Sequence, residues 1–282
     1  MLIAQMTDIH VGFAPDDGPE ELNRHRFRAA LERLLSGPNR PDMLVLSGDI
    51  TDSGEFDDFA DVAALVTQCP YPVWPMVGNH DERANLLRAF PQVRAQDGFI
   101  HYVVEAEGFR VILLDTLEEG RHGGAFCPAR AAWLTAQLDS APDTPTLIFM
   151  HHPPVVTGVD WMDPAPGEDW IARFGGAVEG REQIVSIQCG HLHRPIQTMF
   201  RGIPLGVTAS IAPRVALDLR RVDANHPDGR DLITTEPPSY ALHRWDGRSL
   251  VTHYEDVSGW HVLAHFTDQL QPMIHDMFGE RE

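Results

Sequence analysis

The residues able to do chemistry fall in five short segments: Asp8-Ile9-His10, Gly48-Asp49, Gly78-Asn79-His80-Asp81, His151-His152 and Gly190-His191-Leu192-His193. Imidazole nitrogens, carboxylate oxygens and one carboxamide oxygen suit a borderline first-row divalent ion, rather than a thiol-rich or all-oxygen site. Singly, each segment could be a satisfied polar group at a turn. The Gly-Asn-His-Asp and Gly-His-Leu-His segments carry more weight. There the glycines predict an unusual backbone angle at Gly78, and at Gly190 the kink that lets alternate histidines face one centre. Taken together and in this order, the five predict one metal site.

Something must bring segments so far apart in sequence to one place. Apolar runs directly precede four of them: Met43 to Leu46, Val73 to Val77, Thr146 to Met150 and Ile184 to Ile187. Short Val/Ile/Leu-rich runs bounded by Gly or Pro predict buried strands, with Leu2 to Gln5 as a first strand. The donors then sit at carboxyl ends of strands, the edge where open α/β sheets bind ligands. Helical spacing over Asn23 to Leu35, Glu55 to Val66 and Ala129 to Leu138 supplies the alternating helices, and Ile100 to Val104 and Val111 to Leu114 further strands. After Cys189 the pattern becomes strand-like: Ile196 to Phe200, Leu205 to Thr208, Val215 to Leu219, then Tyr240 to Trp245 and Leu250 to Tyr254 around an Asp246-Gly247 hairpin turn. The expected class is α/β with mixed sheets and helices outside. Val222 to Pro238 reads as a long excursion. Asp256 to Glu282, carrying Trp260, Leu263, Phe266, Met273, Met277 and Phe278, suggests an amphipathic helix that packs on its own domain or on another subunit.

Composition narrows the function. The chain has 282 residues and a net charge of -19, from 22 Lys+Arg against 41 Asp+Glu. That balance disfavours gripping polymeric nucleic acid, which needs a basic patch. Lysine is absent, removing the Walker and Schiff-base lysines. The three cysteines, Cys69, Cys127 and Cys189, have no Cys-x-x-Cys spacing, which points to a reducing, cytoplasmic setting. No apolar run reaches the roughly 20 residues of a membrane span, and a ligand as early as Asp8 leaves no room for a signal peptide.

The set Asp8-x-His10, Gly48-Asp49, Gly78-Asn79-His80-Asp81, His151 and Gly190-His191-x-His193 resembles the calcineurin-like metallophosphoesterase signature. With Met150-His151-His152-Pro153-Pro154 and Met162-Asp163-Pro164 it is most similar to the bacterial branch of class III cyclic-nucleotide phosphodiesterases and glycerophosphodiesterases. The resemblance implies a four-layered αββα sandwich over residues 1–220, with 221–282 forming a closing hairpin and a C-terminal cap or dimerisation segment. It implies two divalent ions (Mn, Fe, Co or Zn). One would be held by Asp8, His10, Asp49 and His193, the other by Asp49, Asn79, His151 and His191, with Asp49 bridging. A carboxylate can span ions ~3.5–4 Å apart and a neutral imidazole cannot. A metal-activated hydroxide would attack phosphorus, with His80 assisting beside Asn79 at the substrate and Asp81 orienting that imidazole or its loop.

The expected activity is hydrolysis of small phosphodiesters, such as cyclic nucleotides or glycerophosphodiesters. A phosphomonoesterase or pyrophosphatase with the same centre, or a non-catalytic scaffold of the same fold, remain the alternatives. Asp52 stands where purple acid phosphatases carry a tyrosine, so their iron site is not expected. Arg214 is either a phosphate clamp or an ordinary surface arginine. His152 is assigned to loop support, and His122, His101 and His243 to surface or core. Related enzymes imply a homodimer or higher homo-oligomer through Val222 to Phe266.

Overall fold

Alternation along the apolar runs sets the layers. The computed structural model describes residues 1–13, 21–165, 167–257 and 261–281. In it β1 (Leu2–Met6) and β2 (Met43–Ser47) pair in parallel, as do β2 and β3 (Val73–Met76). Ile3, Met43 and Val45 point into one apolar cluster, while Ala4, Met6, Leu44 and Leu46 point into another on the opposite face. This is the period-2 pattern of strands buried on both sides. The second cluster is closed by α1 (Leu22–Ser36), α2 (Phe56–Val66) and α3 (Arg83–Ala89), through Phe27, Leu31, Phe59, Val62 and Leu86.

A second sheet repeats the arrangement. It contains β4 (Tyr102–Ala106), β5 (Phe109–Leu114), β6 (Thr146–Met150), β7 (Ile184–Cys189), β8 (Ile196–Phe200) and β9 (Ile203–Val207), in the order β4-β5-β6-β7-β9-β8. Phe109, Val111, Leu113, Leu147 and Phe149 meet Ile3, Val45 and Met76 between the sheets. Ile112, Leu114, Ile148 and Met150 face α4 (Pro128–Ser140) and α5 (Asp169–Val178). The layers are therefore helix, sheet, sheet, helix. Each fully buried side chain of this size stabilises by about 1.5–3 kcal/mol, so the two-sided burial fixes register strongly.

A two-stranded ribbon pairs β10 (Arg214–Val215) with β11 (Ile233–Thr234). The predicted strand Val215 to Leu219 is realised only as Arg214–Val215, because pairing with β11 stops there and Leu217 and Leu219 are exposed rather than buried in the core. The first sheet is completed by β12 (Ser239–Trp245), antiparallel to β1, and β13 (Leu250–Asp256), antiparallel to β12. The turn at Asp246-Gly247 joins them, with Gly247 at φ 96°.

Two helices escaped the sequence reading. α3 buries only Leu86, so it has little apolar stripe. α5 contains Gly175-Gly176, poor helix formers that tertiary packing of Trp170, Phe174 and Val178 overrides. The expected C-terminal helix exists as α6 (Gln271–Gly279), but none of its residues is buried. Its packing on the domain is corrected accordingly: Phe266, Met273, Met277 and Phe278 are all exposed. Trp260 and Glu282 lie outside the described residues.

Candidate metal centre

Parallel register within each sheet delivers the donors to the carboxyl ends of its strands, and the two sheets bring those ends together. Met6 is level with Leu46, Ser47 with Met76, and Phe149 with Gln188. Each strand then releases its donor segment at its carboxyl end: Asp8 and His10 after β1, Asp49 after β2, Asn79 and His80 after β3, His151 after β6, His191 and His193 after β7.

The turns that aim these side chains are strained. Asp8 (φ 50°), His10 (50°), Asp49 (47°), His191 (71°) and His193 (54°) all occupy the left-handed region, five of seven such non-glycine residues among those described. This conformation is uncommon outside glycine and clusters at functional sites. The kink expected at the glycines thus falls on the ligand-type residues themselves. Gly78 and Gly190 do not have positive φ. They are required for close approach instead. A Cβ at Gly78 would lie 2.2 Å from Asp49 Oδ1, and one at Gly190 would lie 2.1 Å from Thr7 Oγ1 and 2.7 Å from Asp8 Oδ2.

The side chains converge. His10 Nε2 lies 3.2 Å from His193 Nε2 and 3.5 Å from Asp49 Oδ2. His151 Nε2 lies 3.2 Å from Asp49 Oδ2 and 3.8 Å from Asp8 Oδ1, and His193 Nε2 lies 3.3 Å from Asp8 Oδ1. Donor atoms of Asp8, His10 and His193 lie within 4.8 Å of one another, as do those of Asp8, Asp49 and His151. His151 and His193 turn Nδ1 to a backbone carbonyl, of Ser47 at 2.9 Å and Pro213 at 2.9 Å, and so present Nε2 inward. His10 places Nδ1 3.1 Å from the Asp52 carboxylate. An imidazole tied back through one nitrogen in this way is the usual support of a metal-ligating histidine.

Electrostatics agree with a cation site. Burial works against charge on Asp8 and Asp49, yet His193 and His151 beside Asp8, and His151 and His10 beside Asp49, hold both carboxyls below the ordinary range. Burial likewise opposes charge on His151, but Asp49 and Asp8 push it up to about 9. Two buried carboxylates this close require positive charge. Burial and neighbouring imidazoles push His191 and His152 well down, keeping them neutral with lone pairs available. Asn79 Oδ1 is buried without a hydrogen-bond partner, and His151 Nε2 has only the Asp49 carboxylate beside it, at 3.2 Å. A buried orphan acceptor, together with an imidazole whose inward nitrogen is protonated only because carboxylates surround it, fits a divalent metal in the proton's place.

Three further residues complete the arrangement. The Asn79 amide donates to His122 Nδ1 at 3.1 Å, which fixes the carboxamide plane and leaves Oδ1 buried without a partner. The sequence offers no signal for this role of His122, because no motif surrounds it and its partner is 43 residues away. Asp52 supports His10 by its carboxylate and accepts from His80 Nδ1 by its carbonyl at 2.7 Å. The tautomer of His80 is thereby fixed, with Nε2 outward on a side chain 31% exposed. His152 binds Thr116 Oγ1 through Nδ1 at 2.8 Å, consistent with loop support.

One expectation is narrowed and one corrected. Of the two roles expected for Asp81, imidazole or loop, the hydrogen bonds favour the loop. The Asp81 carboxylate accepts from the N–H groups of Gly78 (2.9 Å), Ile50 (3.1 Å) and Thr51 (3.0 Å), clamping two donor loops together. Burial and the Asp49 charge push its carboxyl up to about 7. Arg214 is neither a phosphate clamp nor a surface residue. It is 8% exposed, and its guanidinium pairs with Glu236 at 3.2 Å and Asp256 at 2.6 Å. A larger concavity of about 960 Å³, near Met1, Trp245 and Tyr254, lies at the opposite sheet edge, away from these donors.

Comparison with known proteins places the geometry in context. Residues 1–195 match the calcineurin-like phosphoesterase pattern. The chain is 32% identical to a glycerophosphodiester phosphodiesterase of Enterobacter lignolyticus, covering 98% of this chain and 95% of that protein. It is 35% identical to a probable cyclic nucleotide phosphodiesterase of Rhodopseudomonas palustris, covering 81% and 82% respectively. The fold is similar to a calcineurin-like phosphoesterase, YfkN from Bacillus subtilis, with a TM-score of 0.52 at 13% identity over 100% of this chain and 99% of that one.

Proposed function

Since this chain belongs to the calcineurin-like phosphoesterase family, we propose that it is a metal-dependent phosphodiesterase acting on small diesters, such as glycerophosphodiesters or cyclic nucleotides. The observation that carries the proposal is the convergence of Asp8, His10, Asp49, His151 and His193 at the carboxyl ends of strands from both sheets, with His191 grouped beside His151, four of these on strained left-handed backbone together with His191, and a buried, unpartnered Asn79 Oδ1 on a neighbouring loop.

Asp8, His10, Asp49 and His193 would hold one divalent ion; Asp49, Asn79, His151 and His191 would hold a second. When bound, such ions supply Lewis-acid charge to phosphoryl oxygens and lower the pKa of a water toward neutrality. The chain's own residues do the rest. Asp52 and the carbonyls of Ser47 and Pro213 hold the imidazoles in their inward orientation. His80 receives a backbone carbonyl at Nδ1, so Nε2 donates a proton only as imidazolium and otherwise accepts one. It is placed to give a hydrogen bond or proton to the phosphoryl or leaving oxygen. Water and the diester then yield a phosphomonoester and an alcohol.

Asn79 is a neutral ligand, so its ion is the more loosely held of the two. Mn, Fe, Co and Zn all tolerate this donor set. The exposed apolar residues Leu263, Phe266, Met277 and Phe278 after the completed sheet support the assignment of the C-terminal segment to contacts in a homodimer or higher oligomer. Among the described residues no helix is long and apolar enough to cross a membrane. Three unpaired cysteines support a cytoplasmic setting.

The test is hydrolysis of bis(p-nitrophenyl) phosphate against p-nitrophenyl phosphate by metal-free protein, by Mn-, Co- and Zn-reconstituted protein, and by Asn79→Ala. Metal-restored activity favouring the diester and crippled in the variant is expected. Preference for the monoester would replace the reading with a phosphatase, and inactivity with every metal would leave a scaffold.

A further inference from the structure

Two cavities flank the donor cluster, with no lining residue in common among those described. One, about 230 Å³, adjoins His191 and His152 and is walled by Trp161 and Trp170, with Arg121 and His122 also lining it. The other, about 130 Å³, adjoins His10 and His193 and is walled by Phe13, Pro213 and Ile233. The cluster itself separates them. Asp49 Oδ2 is 3.5 Å from His10 Nε2 on one side and 3.2 Å from His151 Nε2 on the other. The His151 ring packs in turn on His191, 5.4 Å between centroids. His80 spans the same interval, its ring 4.6 Å from His10 and 5.8 Å from His122. A phosphorus held beneath His80 therefore has a cavity on either hand.

The shape of the substrate follows from tetrahedral phosphorus. The two ester arms of an acyclic diester diverge and can enter separate cavities. In a 3′,5′-cyclic nucleotide both ester oxygens belong to one ring fused to one sugar, so a single body carries both arms and cannot reach into two cavities. A monoester has one arm and fills one. The walls differ as well. Trp161, 38% exposed, offers a broad ring for a planar group. The smaller cavity presents Phe13 and Ile233, suited to a short apolar alcohol.

We propose that the protein selects acyclic, unsymmetrical phosphodiesters, with the larger, planar arm against Trp161 and the shorter arm against Phe13. This rests on the phosphodiesterase reading above and narrows it. Phe13 and Trp161 are then specificity-determining residues that touch the substrate, and neither is among the metal-ligand candidates.

The experiment compares the ethyl ester of adenosine 5′-monophosphate with 3′,5′-cyclic AMP: both carry the same nucleoside and only aliphatic ester oxygens, but the second arm is a separate ethyl group in the first and the 3′-oxygen of the same ribose in the second. Metal-reconstituted wild-type protein is expected to show kcat/KM roughly tenfold higher for the acyclic ester. Trp161→Ala and Phe13→Ala are each expected to raise KM for ethyl p-nitrophenyl phosphate, which has one planar and one short arm, by roughly fivefold to tenfold, with Trp161→Phe restoring most of the loss. With p-nitrophenyl phosphate only one of the two alanine variants should matter. Both side chains are well exposed, and thermal unfolding with metal analysis separates a binding defect from a folding one. Preference for cyclic AMP, or unchanged diester KM in either folded alanine variant, overturns the proposal while the phosphodiesterase reading stands. Absence of metal-dependent hydrolysis of any diester would instead remove that reading.

Discussion

Gly190→Ala isolates close packing from backbone strain. Gly190 does not have positive φ, so alanine suits its backbone and, through the unfolded chain alone, would stabilise by about 0.4–1 kcal/mol. The collision decides the outcome. The new Cβ would meet Thr7 Oγ1 at 2.1 Å and Asp8 Oδ2 at 2.7 Å, against an ordinary contact of 3.4 Å or more. Restoring contact at 3.4 Å requires about 0.7 Å more from Asp8 Oδ2 and about 1.3 Å more from Thr7 Oγ1, shared between those side chains and the β7 turn. Asp8 is fully buried and accepts from the His191 N–H at 3.0 Å, so it has little freedom to yield. Overpacking of this kind costs about 1–3 kcal/mol, and a ligand displaced by ~1 Å costs on the order of 10²-fold in rate. The assay combines metal content after dialysis, thermal unfolding and kcat/KM with bis(p-nitrophenyl) phosphate. A Thr7→Ala/Gly190→Ala double variant removes the 2.1 Å contact but leaves the one to Asp8, so it should regain stability more than activity. Full metal content and wild-type activity in the single variant would refute the argument.

The remaining predictions concern His80, His243 and Arg214. His80→Gln should lower kcat by roughly 10²–10⁴-fold while retaining the metal content of wild type, since acid–base assistance has that size; loss of metal would make His80 a ligand instead. His243 is buried between Gln5 Oε1 (3.0 Å) and Thr252 Oγ1 (2.9 Å), and burial pushes it down to about 3. Its folded value lies below the unfolded one, so its stabilising contribution is complete above pH ~6.5 and is lost as pH falls toward 3. By pH 5 wild type should lose about 2 kcal/mol more than His243→Gln in urea unfolding, and parallel pH profiles would refute the assignment. Arg214→Met should lower stability by about 1 kcal/mol, because its partners are partly solvated, yet leave KM for bis(p-nitrophenyl) phosphate within roughly twofold. A large rise in KM would return Arg214 to the substrate site.

What the sequence made legible was chemistry carried by short range. Each of Asp49, Asn79, His151 and His191 follows an apolar run directly, and strands buried on both faces have one register, so composition and order sufficed to bring them to one edge. The role of glycine was not legible in the same way. A glycine beside a ligand can mean a left-handed angle or a missing Cβ, and only the neighbouring chain distinguishes them: Gly190 is set by Thr7 and Asp8, more than 180 residues earlier. Arg214 illustrates the same limit for charge. Its position after the last motif suggested a phosphate, but its fate is decided by Glu236 and Asp256, 22 and 42 residues on, brought in by the turn after β11 and by β13. His122 is the converse case, an imidazole with no local signature that gains its purpose from an amide on another loop. Ligand identity thus rests on residue type and strand order, whereas the supporting contacts depend on long-range packing. Substitutions at His122 or Gly190 therefore probe the fold's control of the centre more directly than substitution of the ligands themselves.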